Sequence, residues 1–423
     1  MGNWQREAAR FAPTLKLALL HGGDRSARFV DAPTADLLLT TYPLLPRDAD
    51  RLTSIEYHSV ILDEAQNVKN PRAKAAQVLR RMTTRHRLCL TGTPLENHLG
   101  ELWALFDFLM PGFLGEREVF NRSYRTPIER HGDSARQAVL ARRLSPFLLR
   151  RTKQEVAAEL PPKTEIVQPI ELEAAQAELY ESIRATMDKR VRDAIERQGL
   201  ARSHITILDA LLKLRQVCCD PRLLKLSTRG AVPPSAKFEF LFGLLEELLN
   251  EGRKILLFSQ FTSMLALIEA ELGRRGVGYA KLTGKTRNRD DAIDRFRSGA
   301  VPLFVISLKA GGVGLNLPEA DTVIHYDPWW NPAVEAQATD RAHRIGQTQP
   351  VFVYKLIVAN SVEARMVELQ ARKRSLAAGI YAGKDAARSL ELDVDTLASL
   401  FAPIEFDNPG INARSRRPPQ RRA

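Results

Sequence analysis

The chain has 423 residues, 44% of them apolar, and 62 Lys and Arg stand against 50 Asp and Glu, giving a formal net charge of +12 and a pI near 9.7. That length accommodates two or three domains, and no apolar run is long enough for a membrane span or a secretory leader. Cys89, Cys218 and Cys219 lack CxxC spacing, which argues against a disulfide framework or zinc site and for a reducing, cytoplasmic compartment. The cation excess favours a polyanionic partner such as nucleic acid, although part of it lies in the tail at Arg414, Arg416, Arg417, Arg421 and Arg422.

Met1 to about Pro13 reads as the start of a short amphipathic helix. Leu15–Leu20 and Asp36–Thr41 are compact apolar runs of the kind found in buried parallel strands, the second ending in Thr40-Thr41-Tyr42. Tyr57–Leu62 is a third strand, and Asp63-Glu64 stand at its C-terminal end, where parallel sheets bind ligands. Two adjacent carboxylates repel each other. A phosphoryl-transfer site uses such a pair, one carboxylate for Mg²⁺ and one to take a proton from the attacking water. A helix N-cap with an acidic first turn suits the same two residues. Arg87–Leu90 is a fourth strand, running into the small-residue turn Thr91-Gly92-Thr93-Pro94. The helix Leu99–Met110 carries Trp103, Phe106 and Phe108, read as core.

From Gly115 to Leu160 the chain reads as helical and Arg-rich, Pro161-Pro162 breaks it, and Glu171 to Leu226 reads as long charged helices. Gly230 to Pro234 is a turn-rich linker. A second alternating unit follows, with strands Lys254–Ser259, Tyr279–Leu282, Leu303–Ser307 and Thr322–His325, and with Val351–Ile357 closing the sheet. Asn331-Pro332 has the form of a helix start. On that helix Gln337, Arg341 and Arg344 share one face, and Gly346 offers a stop. Two guanidiniums on one face suit a triphosphate, and an ordinary solvated helix face has the same pattern. Thr283-Gly284-Lys285-Thr286 imitates a P-loop, but Tyr279 stands where the pattern needs Gly. The expected architecture is α/β: a first lobe over 1–115, a helical insertion and linker over 116–234, a second lobe over 235–384, and a helical extension with a basic disordered tail over 385–423.

The stretches LLLTTYPLL (Leu37–Leu45), VILDEAQNVKN (Val60–Asn70), LTGTPLENHLGELWALFDFLMPGFLG (Leu90–Gly115), ILLFSQFTSML (Ile255–Leu265), LTGKTRNRDDAIDRF (Leu282–Phe296), SLKAGGVGLNL (Ser307–Leu317) and DPWWNPAVEAQATDRAHRIGQ (Asp327–Gln347) occur in one order. Together they resemble the Snf-two-type ATPases of helicase superfamily two, the Swi/Snf-like DNA translocases, and bacterial members in particular. The resemblance implies two RecA-like parallel-sheet lobes with an ATP crevice between them, and hydrolysis that drives movement along double-stranded DNA. It implies that Asp63 holds Mg²⁺, Glu64 activates water, Arg341 and Arg344 are arginine fingers, and Gln337 orients them or the phosphate. It implies that Gly312 and Gly314 couple nucleotide to DNA, and that Thr40, Thr41, Ser259, Gln260, Gly284 and Lys285 lie along the DNA backbone. Trp329 and Trp330 are expected to pack beside the finger helix. The implied partners are duplex DNA, with RNA polymerase or an N-terminal lobe as further ones, in a nucleoid-associated setting.

One departure stands out. The family's Gly-rich phosphate loop lies upstream of an NW-x-x-E segment, and here NWQRE begins at Asn3. The first lobe is therefore expected to be incomplete and less stable than the second. This chain is expected to be the C-terminal part of a longer enzyme, impaired in ATP turnover on its own. The alternative is an ATP-independent DNA-binding or regulatory fragment.

Overall fold

The structure, a computed structural model, describes residues 1–92, 98–151, 153–157, 159–224, 232–311, 315–371 and 394–404. The expectations at Thr93, Pro94, Gly312 and Gly314, and those for the tail beyond 404, fall outside the described residues. The described residues form two compact units, one ending at 151 and the other beginning at Lys153. Among them no helix is long and apolar enough to cross a membrane.

The first unit contains four strands in two parallel pairs. β1 (Leu17–Leu19) runs beside β2 (Leu37–Leu39), and β3 (Glu56–Asp63) beside β4 (Thr83–Leu90), with Asp63 opposite Leu90. Residues alternate between the faces of a strand, so β3 buries Val60 and Leu62 while Ile61 is 51% exposed. On β4, Leu88 (47% exposed) and Leu90 (37%) lie on the same open face. Helix α1 (Leu99–Leu109) is apolar on almost every side because it serves two cores. Leu105 and Phe108 pack with Val60, Leu62 and Leu79, while Leu102, Trp103 and Phe106 pack with Phe120, Ile128 and Leu140. All three of its aromatics are thus core, as expected.

The second unit is built on a six-stranded, wholly parallel sheet. Its strands are β5 (Lys163–Ile170), β6 (Ile255–Ser259), β7 (Tyr279–Leu282), β8 (Leu303–Ser307), β9 (Thr322–His325) and β10 (Val351–Val358), in the order β5-β10-β9-β6-β8-β7. Every residue of β6, β8 and β9 is buried, as continuous apolar runs covered on both faces require. Leu256, Phe258, Phe304 and Val323 face one core; Ile255, Leu257, Val305 and Ile324 face the other.

Two features differ from the sequence reading. β5 lies between the two stretches read as helical, inside the region expected to be a helical insertion, and it makes β10 an inner strand rather than the edge. β5 is polar on one side and carries Pro169, which the outermost strand tolerates because one side of its backbone is unpaired. The long helices expected after it are α2 (Ala174–Gln198) and α3 (His204–Cys219). They pack together through Tyr180, Val191, Ile207, Leu211 and Leu214, joined by Leu397 and Leu400 of the C-terminal helix.

Candidate functional site

In the first unit the parallel register sets the ends of β3 and β4 side by side, so Asp63 and Glu64 lie beside Thr91. The Thr91 hydroxyl donates to Gln66 Oε1 at 2.7 Å, and Gln66 Nε2 donates to Glu64 Oε2 at 2.8 Å. The backbone of Glu64 is left-handed (φ 50°, ψ 53°), a region that a long L side chain seldom occupies. Its carbonyl accepts the Asn67 backbone N–H at 3.0 Å and the Asn67 side-chain amide at 2.9 Å, which holds the conformation. Among the described residues Glu64 makes no side-chain capping bond to the short 3₁₀ turn Ala65–Val68 that follows it. Asp63 Oδ2 accepts the indole N–H of Trp4 at 2.8 Å, and its carbonyl accepts the Tyr42 hydroxyl at 2.6 Å. Burial pushes the Tyr42 phenol up, as do Cys89, Asp63 and Glu64 nearby, so it remains a hydrogen-bond donor. Burial also pushes the Cys89 thiol up to about 12, so it stays protonated. Thr40 and Thr41 follow β2, and the Thr40 hydroxyl is buried without a partner among the described residues.

In the second unit the expected residues gather at the C-terminal edge of the sheet. Ser259 ends β6, and Gly284 and Lys285 follow β7; Asp327, which the sequence reading did not single out, follows β9. Ser259 is fully buried and its hydroxyl donates to Asp327 Oδ1 at 2.5 Å, so its side chain is committed inside the protein. Gly284 and Lys285 are exposed in a turn closed by the Thr283 N–H donating to Thr286 Oγ1 at 2.9 Å. The helix after this turn begins only at Arg289, capped by Asn288, and its first turn carries Asp290 and Asp291. An acidic first turn repels phosphate, so Gly-Lys-Thr here is not a P-loop.

Asn331 caps helix α4 (Pro332–Thr339) as expected, its Oδ1 accepting the Ala333 N–H at 3.0 Å. The helix ends at Thr339, however, and Arg341 and Arg344 lie in the turn beyond it rather than on a helix face with Gln337. The carbonyls there are taken by other donors. Arg341 O accepts the Leu317 N–H at 3.0 Å, and Ala342 O accepts Gln347 Nε2 at 3.3 Å. Both guanidiniums still converge, donating to the Leu315 carbonyl at 3.3 Å (Arg341) and 3.5 Å (Arg344), directly beside the Gly312–Gly314 stretch in sequence. Lys153 and Pro161 brace this turn from outside the sheet: Lys153 Nζ meets Asp340 at 2.6 Å, and the His343 ring bonds to the Pro161 carbonyl at 2.9 Å. His325, buried on β9, shares a 2.9 Å hydrogen bond with Thr339 and ties α4 to the sheet. Trp329 packs on the core that contains Ala338 and Ala342, beside α4 and the arginine turn as expected, whereas Trp330 packs on the core of α2 and α3 instead.

Sequence reasoning missed Trp4 and the braces Lys153 and His343. Each contacts a partner too far away in the chain for spacing to reveal.

Comparison with known proteins identifies the family. Residues 1–223 match the SNF2-related domain, and residues 236–346 the helicase conserved C-terminal domain. The chain is 39% identical over 393 residues to the putative ATP-dependent helicase/translocase YwqA of Bacillus subtilis, covering 89% of this chain and 41% of that protein. It is 32% identical over 401 residues to the ISWI chromatin-remodeling complex ATPase ISW2 of Saccharomyces cerevisiae, covering 89% and 35%. It thus spans about two fifths or less of the length of these relatives. A solved Sulfolobus solfataricus SWI2/SNF2 ATPase core in complex with dsDNA is 35% identical, covering 95% of this chain and 84% of that one at a TM-score of 0.46. The SNF2-related model alone accounts for more than half of the residues, and the chain belongs to the SNF2 family.

Proposed function

We propose that this chain is the motor segment of a DNA-dependent ATPase that tracks along duplex DNA, with ATP as substrate and magnesium as its metal. The observation that carries the reading is the linked set Thr91–Gln66–Glu64, with Glu64 in a backbone conformation that persists only where neighbours over-determine it. Asp63 supplies the protein ligand to the metal, and Glu64 takes the proton from the attacking water. Bound magnesium neutralises charge on the phosphates. The residues fit that ion, which is held chiefly by substrate phosphates and water with one or two carboxylates. Among the described residues no group of three or more His, Cys, Asp or Glu forms an all-protein cage. Arg341 and Arg344 offset charge on the transferred phosphoryl group, and Gln337 orients them or the phosphate. Gly312 and Gly314 link nucleotide to DNA.

Thr40, Thr41, Gln260, Gly284 and Lys285 lie along the phosphodiester backbone, while Ser259 acts from behind by holding the Gln260 turn. Phosphate contacts carry no base code, so binding is sequence-tolerant and falls steeply with salt. The net charge of +12 supports this. By itself the chain turns ATP over weakly. The open face at Ile61, Leu88 and Leu90 supports a need for further apolar cover on the first unit.

The test measures duplex binding across a salt series together with ATP hydrolysis, with and without DNA, in the natural chain and in Glu64→Gln. Expected are salt-steep binding in both and weak DNA-stimulated turnover that Glu64→Gln abolishes. Binding indifferent to salt would overturn the backbone reading. Fast turnover by the chain alone would overturn the impairment.

A further inference from the structure

The roles proposed above leave one buried carboxylate unused. Asp327 is fully buried, two residues past the end of β9. Its Oδ1 accepts the Ser259 hydroxyl, and both of its oxygens lie 3.3 Å from the Gln260 backbone N–H. The Ser259 oxygen in turn accepts the Phe261 N–H at 3.1 Å, so the whole turn after β6 is wrapped around this carboxylate. On its other side stands Arg215 of α3, itself 8% exposed. Its guanidinium lies 4.0 Å from Asp327 Oδ2, donates to the Pro328 carbonyl at 2.5 Å, and rests 5.8 Å from the centre of the Phe261 ring.

One acid therefore joins three segments: α3, the Gln260 turn, and the Pro328–Asn331 turn that opens α4. Burial pushes its carboxyl up to about 6, even though Arg215 and the Ser259 hydroxyl favour the ionised form. An apolar residue would fill such a place at lower cost, so packing alone does not account for an acid here. The Gln260 turn also holds an unmet demand. Its side-chain Nε2 is buried with no partner among the described residues. A buried donor without an acceptor is costly, so the turn gains by shifting when an acceptor such as a phosphate oxygen arrives.

We propose that Asp327, braced by Arg215, is a positioning residue that passes a shift of the Gln260 turn to the Pro328–Asn331 turn, and so to Arg341 and Arg344. The inference rests on the DNA-backbone reading of Gln260. It makes α3, a helix outside the sheet, part of the link between DNA and the arginine pair.

The test is hydrogen exchange of the 423-residue chain with and without a saturating duplex, followed in peptides spanning 256–265 and 328–345. In the natural chain, DNA slows exchange in both by about threefold or more. In Asp327→Asn the response persists in 256–265 and disappears from 328–345. Arg215→Lys, which keeps the charge but cannot reach both Asp327 and Pro328, gives the same result. In Arg215→Gln/Asp327→Asn, which removes both buried charges, stability recovers towards the natural chain while the 328–345 response stays absent. A merely structural role would restore both together and so overturn the proposal, as would Asp327→Asn with both responses intact. A natural chain that binds duplex with neither peptide responding overturns it too. A folded chain that does not bind duplex overturns the functional reading beneath it.

Discussion

His325 should make the second unit acid-sensitive in a way that a single substitution removes. The ring is buried between Phe258, whose centroid is 5.6 Å away, and the Thr339 hydroxyl, and its Nδ1 has no partner among the described residues. Burial lowers its pKa from 6.5 to about 3, and the nearby Lys355 ammonium pushes it the same way. A base whose folded pKa is depressed contributes stability that is complete above its unfolded value and is lost as pH falls towards the folded one. With about 1.4 kcal/mol per pH unit, the whole window corresponds to about 5 kcal/mol, and by pH 5 about 2 kcal/mol of it is gone. Asp327 works in the opposite sense. Its raised pKa makes the unit more stable as pH falls from about 6, and between pH 7.5 and pH 5 this returns about 1 kcal/mol. The natural chain should therefore lose about 1 kcal/mol over that interval from these two groups, and His325→Asn should gain about 1 kcal/mol instead. The assay is urea unfolding at both pH values, read from the fluorescence of Trp329 and Trp330. If natural and His325→Asn chains show the same pH dependence, the ring is not held neutral by burial and the reasoning fails.

Lys237 and Glu363 form a fully buried pair, with Nζ to Oε2 at 2.5 Å and the same carboxylate accepting the Val358 N–H at 3.1 Å. Lys237→Met should cost about 3–5 kcal/mol by leaving Glu363 unpaired, and Lys237→Met/Glu363→Gln should recover much of this because Gln still accepts from Val358; chemical unfolding decides. Glu64→Gly should raise the stability of the first unit by about 1 kcal/mol, since glycine adopts the left-handed backbone freely, while abolishing DNA-stimulated ATP turnover. Arg341→Ala or Arg344→Ala should lower that turnover by about a thousandfold, with duplex affinity nearly unchanged in a binding titration. Lys285→Ala should reduce the steepness of the salt dependence by about one phosphate's worth, whatever the DNA sequence.

The second sheet was legible because runs such as Ile255–Ser259 and Leu303–Ser307 are apolar without interruption, which only strands covered on both faces require. β5 was not legible: Lys163, Glu165 and Gln168 give it the polarity of a surface segment, and its pairing with β10 is fixed by partners nearly 190 positions away. The acid pair at Asp63-Glu64 was readable from its place after an apolar strand. The strain at Glu64 and the indole on Asp63 were not, since both arise from tertiary contacts. The arginine spacing correctly brought Arg341 and Arg344 together, but for the wrong reason. Loop donors from Leu317 and Gln347 capture the carbonyls that a continuing helix would have used.

The outermost position of β5 bears on how this protein tolerates dissection. A fragment beginning at residue 235 would keep both catalytic-looking arginines yet strip Lys163–Ile170 from its neighbour. VFVYKLIV of β10 would then present eight open backbone positions along a hydrophobic, proline-free ribbon, the kind of margin that recruits foreign strands. Such a piece would precipitate or form fibrils, whereas one beginning ahead of Lys163 would stay dispersed.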